Sequence, residues 1–266
     1  MIGFIGTGNM GSAMIEGLIS SSICKDSDII VSDLNKEALA TLKKSFPNIN
    51  TTSNNIECAQ KANILILAVK PNIYNIVIDE IQSSTDPNTI IVSIAAGVKR
   101  KSIEEGFEKD IKLIRTMPNT PALVGEGMTA LSPNKNVSED ELNRVKELFN
   151  SFGRTTILSE YLLDSYTALC GSSPAWVFML IEALADGAVL EGMPRAGAYE
   201  MAAQAVYGSA KMVLESGKHP AELKDAVCSP GGTTIEAVAS LEENGFRSTM
   251  IEAVRVCADK SRKLGD

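Results

Sequence analysis

A short apolar run, Ile2-Gly3-Phe4-Ile5, leads directly into Gly6-Thr7-Gly8-Asn9-Met10-Gly11 and then into a helical pattern. Few sequence features restrict a fold more. A strand, a G-x-G-x-x-G turn and a helix open a βαβ unit. Gly6 permits the tight turn, Gly8 lets a pyrophosphate approach the backbone, and Gly11 allows the helix to lie close on the strand. The first amides of that helix have no acceptor inside it and attract phosphate oxygens. The expectation is a nicotinamide-dinucleotide-binding domain of the Rossmann type, with Gly6, Thr7, Gly8, Asn9, Met10 and Gly11 lining the cofactor.

The rest of the first half agrees with that expectation. Apolar or β-branched runs at residues 2–5, 29–31, 64–69, 89–94, 112–115 and 155–158 alternate with helical patterns at 10–20, 36–45, 73–83 and 102–108. Strands alternating with helices imply a parallel sheet. The run Ile64-Leu65-Ile66-Leu67-Ala68-Val69 is apolar on both faces, as a doubly covered strand should be. Ser138 followed by Glu141 is a capping box opening a helix to about Asn150. After residue 158 the pattern becomes helical throughout, at 162–190, 195–216, 221–226, 234–243 and 246–264. The predicted class is α/β, with a Rossmann-type parallel-sheet domain over residues 1–159 and an all-helical domain over 160–266.

A second candidate contact lies at the end of the second strand, where Asp33 follows Ile30-Val31-Ser32. An acid there bonds the ribose diol of NAD or caps the helix beginning at Lys36. Its charge would repel a 2′-phosphate, so NADH is expected to serve at least as well as NADPH, unless Lys36 meets that phosphate instead.

Composition narrows the chemistry further. The 266 residues carry a formal charge of −8, which argues against nucleic acid as a partner. Met1 leads straight into a strand without a basic leader, and the five cysteines have no CxxC spacing. Both point to a cytoplasmic protein with reduced thiols. The apolar stretch 175–190 contains Glu182 and Asp186, and is expected to be a buried helix rather than a membrane span. His219 is the single histidine, in a Gly-Lys-His-Pro turn, and is expected to lead into a helix. One histidine leaves no room for a His-rich metal site and little for a His-Asp acid–base pair.

Two segments remain. Ser229-Pro230-Gly231-Gly232-Thr233-Thr234 runs into a helix. It is a second anion site, suited to a small carboxylate, or an inter-helix turn capped by threonine. The hydroxyls of Ser229, Thr233 and Thr234 could bind a ligand directly. In Cys170-Gly171-Ser172-Ser173-Pro174 the proline cannot donate to the Cys170 carbonyl, so the helix should distort and free that carbonyl.

With these residues in hand, the chain resembles the pyrroline-5-carboxylate reductases. The matching segments are Gly6 to Gly11, Ala68-Val69-Lys70-Pro71, Ser93-Ile94-Ala95-Ala96-Gly97, Arg115-Thr116-Met117-Pro118-Asn119-Thr120-Pro121, residues 168–178, Leu223-Lys224-Asp225, Ser229 to Thr234, and Gly245-Phe246-Arg247-Ser248. Ser173 departs from the family's Gly-Ser-Gly-Pro-Ala. The resemblance implies reduction of the cyclic imine 1-pyrroline-5-carboxylate to L-proline by NADPH or NADH. It implies cofactor contacts at Asn55, Ala68, Val69, Lys70, Pro71, Ala95 and Ala96, and Met117 and Asn119 near the nicotinamide. It assigns the substrate carboxylate to Gly231, Gly232 and Thr233, and the Thr234 hydroxyl, as the catalytic group, to the ring nitrogen. It also implies a homodimer through the C-terminal helices, often five of them in a decamer. A protonated imine is already electrophilic, so alignment matters more than acid–base help. A β-hydroxyacid dehydrogenase would need a lysine on the helix after the first domain, and residues 160–193 hold no Lys, Arg or His. A dinucleotide-binding paralogue without catalysis is the other alternative, against which the intact Gly231–Thr234 loop argues.

Overall fold

The structure, a computed structural model, describes residues 1–264, so the last two residues of the expected second domain lie outside it. Eight strands form one sheet: β1 (Ile2–Ile5), β2 (Ile29–Ser32), β3 (Asn50–Thr52), β4 (Ile64–Leu67), β5 (Ile90–Ser93), β6 (Lys112–Met117), β7 (Gly127–Pro133) and β8 (Gly153–Ile157). Six helices flank it: α1 (Asn9–Ser20), α2 (Lys36–Ser45), α3 (Asn55–Lys61), α4 (Tyr74–Ile81), α5 (Arg100–Gly106) and α6 (Glu139–Asn150). A short helix α7 (Leu163–Tyr166) and a π-helical turn at Thr167–Ser172 follow. Then come α8 (Ser173–Leu190), α9 (Arg195–Ser216), α10 (Pro220–Val227), α11 (Thr233–Glu243) and α12 (Phe246–Leu264).

The strand order is β3-β2-β1-β4-β5-β6-β7-β8. The first six reproduce the dinucleotide-binding order, with the direction of winding reversing between β1 and β4. Alternate side chains of each strand feed opposite cores. Phe4, Val31, Ile66, Val92 and Ile114 pack on one face with Met14, Leu18, Leu42 and Phe149. Ile5, Ile30, Leu65, Leu67, Ile91 and Leu113 pack on the other with Cys58, Tyr74, Ile78, Ile103 and Phe107. Burying each such side chain contributes roughly 1.5–3 kcal/mol, which accounts for a sheet covered on both sides.

The sheet is not wholly parallel. β7, which pairs antiparallel with β6 and parallel with β8, was not among the expected strands. The chain reverses through a turn at Thr120–Val124 that ends on Gly125, whose φ of 76° suits glycine. β3 and α3 also went unpredicted. β3 is polar and sits at the sheet edge, where neither face needs an apolar run. Elsewhere the expectations hold closely, with α2, α9 and α12 at the predicted bounds. The Ser138–Glu141 capping box is formed, and His219 caps α10 by accepting from the Ala221 amide at 3.2 Å.

The chain divides into two compact units. Met1–Ser172, together with the chain from Cys257 on, forms the first, and Ser173–Val256 the second. In the second unit, α8 and α9 meet along a stripe of small residues, Ala185, Ala198 and Ala202. The expectation that residues 175–190 form a buried helix is not met within this chain. Ala185 is the one buried residue of α8, while Phe178, Met179 and Leu190 are 62, 66 and 88 % exposed. Glu160–Leu190 is helical over 31 residues and contains an 18-residue window of mean hydropathy 1.5, long and apolar enough by length and composition to cross a membrane. An apolar helix this bare in one chain needs a covering that the chain itself does not supply.

Candidate active site

The C-terminal ends of the parallel strands bring most of the predicted cofactor residues to one edge of the first unit. Gly6 follows β1, Asp33 follows β2, Ala68 to Pro71 follow β4, Ala95 and Ala96 follow β5, and Met117 and Asn119 lie at and after the end of β6. The point where winding reverses lies between β1 and β4, the usual crevice for a ligand in such a sheet. Here the glycine turn touches the β4 turn. A Cβ on Gly6 (φ 104°) would stand 2.6 Å from the Ala68 carbonyl oxygen, and one on Gly11 would stand 2.6 Å from the Gly6 carbonyl oxygen.

Gly8 differs from both. A Cβ there would meet nothing within 4 Å, so the space above it is open. Gly8 is also the N-cap of α1, no side chain caps it, and no acidic residue sits in the first turn. An open glycine at an uncapped helix start is a cradle that a pyrophosphate fits and a side chain would fill. A cleft of about 400 Å³ continues along the same edge, where Pro71, Ala96, Gly97 and Lys99 line it.

Asp33 serves the turn itself. Its Oδ2 accepts from the Thr7 amide at 2.6 Å and the Thr7 hydroxyl at 2.5 Å, and its Oδ1 from the Asn35 amide at 2.8 Å. Burial pushes its carboxyl up, but these bonds and one from Leu34 outweigh burial and hold it below the usual carboxylate range. The alternative of Asp33 as helix cap is overturned, because Asn35 caps α2 by accepting from Glu37 and Ala38. Asn55 lies beside the same strand end. Its Oδ1 accepts from the Ser32 hydroxyl at 2.7 Å and its Nδ2 donates to Glu80 at 2.8 Å.

The carbonyl that Pro174 should free is indeed taken from elsewhere: Asn119 Nδ2 donates to the Cys170 carbonyl at 3.0 Å. A second feature escaped sequence reading. Glu160 accepts from Arg115 Nη1 at 3.0 Å and from the Arg100 amide at 2.7 Å, joining β6 and the start of α5 to the entry of the C-terminal helices. No local pattern signals it, because the three residues are 15 to 60 positions apart.

The second unit holds the other predicted group. Gly231 has φ 66°, a left-handed turn that glycine adopts without strain, and nothing stands within 4 Å of a Cβ there. Gly232 is the N-cap of α11 and no side chain caps that helix. The threonine-capped turn is therefore not what forms: the amides starting at Thr233, and the hydroxyls of Thr233 and Thr234, remain available to a ligand. A Cβ on Gly232 would stand 2.3 Å from the Ser229 Oγ, so a side chain there would force that hydroxyl to turn away.

A doubly wound sheet with an open glycine turn, continued by an all-helical segment bearing an uncapped glycine loop, defines a nicotinamide-dependent oxidoreductase. Comparison with known proteins narrows the class. Residues 160–264 match the family described as pyrroline-5-carboxylate reductase dimerisation, and residues 1–97 match the one described as NADP oxidoreductase, coenzyme F420-dependent. The pyrroline-5-carboxylate reductase of Escherichia coli is 51 % identical over 263 residues, covering 99 % of this chain and 97 % of that one. Pyrroline-5-carboxylate reductase 2 of Homo sapiens is 40 % identical over 99 % of this chain and 83 % of that one. The crystal structure of the Plasmodium falciparum pyrroline carboxylate reductase with NADP bound aligns with a TM-score of 0.89 at 34 % identity, over 100 % of this chain and 98 % of that one. The chain belongs to the pyrroline-5-carboxylate reductase family. It reduces 1-pyrroline-5-carboxylate to L-proline with a nicotinamide cofactor, a step of proline biosynthesis.

Proposed function

We propose that this chain carries out the reduction as a cytoplasmic homo-oligomer, with residues 1–159 holding the cofactor and residues 160–266 holding the substrate and mediating self-association. The observation that carries the assignment of roles is the uncapped, glycine-opened loop from Ser229 to Thr234. Its amides at Gly231 and Thr233 suit the substrate carboxylate, with the Ser229 hydroxyl beside them, while the Gly232 amide donates to the Ser229 carbonyl at 3.1 Å and shapes the turn. The Thr234 hydroxyl then accepts from the iminium N–H and later donates to the amine lone pair, since a hydroxyl can do both. When bound, NAD(P)H supplies the hydride that the imine carbon accepts. The cradle for it is the turn from Gly6 to Gly11, with Thr7 pinned by Asp33, flanked by Asn55, Ala68 to Pro71, Ala95, Ala96, Met117 and Asn119.

Self-association is supported by the bare apolar surface of α8 and by the dimerisation match over residues 160–264. A second copy suits this surface better than lipid, because Glu182 and Asp186 lie on the same helix and Asp186 pairs with the exposed Arg195. Light scattering at micromolar concentration should give at least a dimer mass, and a strictly monomeric mass would overturn the proposal. Ionised Asp33 at the end of β2 supports use of NADH at least as well as NADPH. Oxidation of the two cofactors, compared with 1-pyrroline-5-carboxylate as acceptor, tests both readings. No turnover with either would refute the catalytic reading. A kcat/KM favouring NADPH by about tenfold or more would refute the cofactor preference and give Lys36 or Asn35 the deciding role.

A further inference from the structure

Pro174 leaves the Cys170 carbonyl without its helical donor, because a proline nitrogen carries no hydrogen. The backbone responds by opening into a π-helical turn over Thr167–Ser172, and the donor comes from Asn119, 51 residues away in sequence. The other end of the same carboxamide is also engaged. Asn119 Oδ1 accepts from the Met128 amide of β7 at 2.9 Å. The Met128 carbonyl in turn accepts from the Tyr166 hydroxyl at 2.6 Å. Tyr166 stands directly before the π turn, so the bonds close a circuit: Asn119 to Cys170, back along the helix to Tyr166, across to Met128, and back to Asn119. Asn119 is 8 % exposed and Tyr166 5 %, so water competes little with these bonds. Burial and the neighbouring Cys170 push the Tyr166 phenol up, which keeps its proton available for donation.

Met117 packs against Tyr166 and its cluster, beside this circuit. A Cβ on Gly171 would stand 2.9 Å from Met117 Cε and 3.6 Å from Thr167 Cγ2. The π turn therefore presents its glycine to the Met117 side chain at contact distance, and an ordinary α turn would present a different residue. We propose that Asn119 is a positioning residue, whose carboxamide replaces the N–H missing at Pro174, holds the π turn open, and thereby sets where the Met117 side chain stands. These two bonds fix the orientation of the carboxamide while leaving it one N–H and one lone pair. The inference rests on the reading that Met117 neighbours the nicotinamide. Misplacing such a neighbour by about 1 Å is enough to lower turnover by on the order of 100-fold.

Three variants test the proposal in the full-length enzyme: Asn119→Ala, Pro174→Ala, and the two together. Restoring alanine at 174 returns the backbone donor to Cys170 and makes the Asn119 amide dispensable for stability. Asn119→Ala should lower both melting temperature and kcat, with kcat down by roughly 10- to 100-fold and the KM for the imine changed by less than about threefold. The double variant should regain most of the melting temperature and none of the kcat, because its turn closes to α and moves Gly171 off Met117. Recovery of kcat together with stability would overturn the proposal and leave Asn119 a structural splint. So would a wild-type kcat in Asn119→Ala. Failure of the wild-type enzyme to reduce the imine would instead refute the functional reading on which the inference stands.

Discussion

Replacing Glu160 by glutamine should destabilise the first unit strongly, although the change is nearly isosteric. The Glu160 carboxylate accepts from Arg115 Nη1 at 3.0 Å and the Arg100 amide at 2.7 Å, with Arg100 Nε 3.4 Å from its other oxygen. It also lies at the start of α5, where the helix dipole favours negative charge. The Arg115 side chain is 8 % exposed and that of Glu160 25 %. Glutamine can keep the oxygen that accepts from Arg115 and the Arg100 amide, but it removes the charge that balances the buried Arg115 guanidinium and turns an NH2 group toward Arg100 Nε. Breaking a fully buried pair from one side costs about 3–5 kcal/mol. Water reaches a quarter of Glu160, which reduces the expected loss to about 2–3 kcal/mol. For a chain of this size that lowers the melting temperature by roughly 4–12 °C. Thermal unfolding followed by circular dichroism reads the shift directly. Arg115→Met combined with Glu160→Gln should recover part of it, because no buried charge is then left unpaired. A shift below about 1 °C, or strict additivity in the double variant, would show that water already solvates this cluster and that the reasoning fails.

Thr234→Ala should lower kcat/KM by roughly 10- to 100-fold, the value of one hydrogen bond to a charged group, while Thr234→Ser keeps most activity. An unchanged rate in the alanine variant would leave substrate positioning to the loop amides alone. Gly8→Val should leave the melting temperature unchanged, because nothing stands near that position, yet abolish dinucleotide binding measured by cofactor fluorescence. Retained binding would place the phosphates elsewhere. Burial pushes the Cys58 thiol from 9.0 up to about 12. Its folded-state value is raised, so its contribution to stability is complete below pH 9.0 and is lost as pH rises toward about 12. The urea midpoint of the wild type should therefore fall relative to Cys58→Ala over that window, and a constant difference up to about pH 11 would contradict it.

Much of this protein was legible in its sequence, because the features concerned are local. The turn from Gly6 to Gly11 needs its glycines within six positions, and the alternation of apolar runs with helical periods reports burial strand by strand. Pro174 announced the free Cys170 carbonyl for the same reason, since a missing N–H acts four residues back. The helix bounds in the second half were equally plain, because Gly and Pro separate them. What the sequence could not express was anything joining distant segments. The edge strand β3 is polar, and β7 depends on a reversal at Gly125 and on partners at both sides. Asp33 read as a cofactor contact or a cap, and only the packed turn gave the cap to Asn35 and set the Asp33 oxygens against Thr7. The donor to Cys170 and the carboxylate shared by Arg100 and Arg115 come from 51, 60 and 45 residues away. The apolar α8 read as a core helix, yet the folded chain leaves it bare. Hydrophobic periodicity records that a face must be covered, and only the tertiary structure decides whether the chain's own elements can reach it.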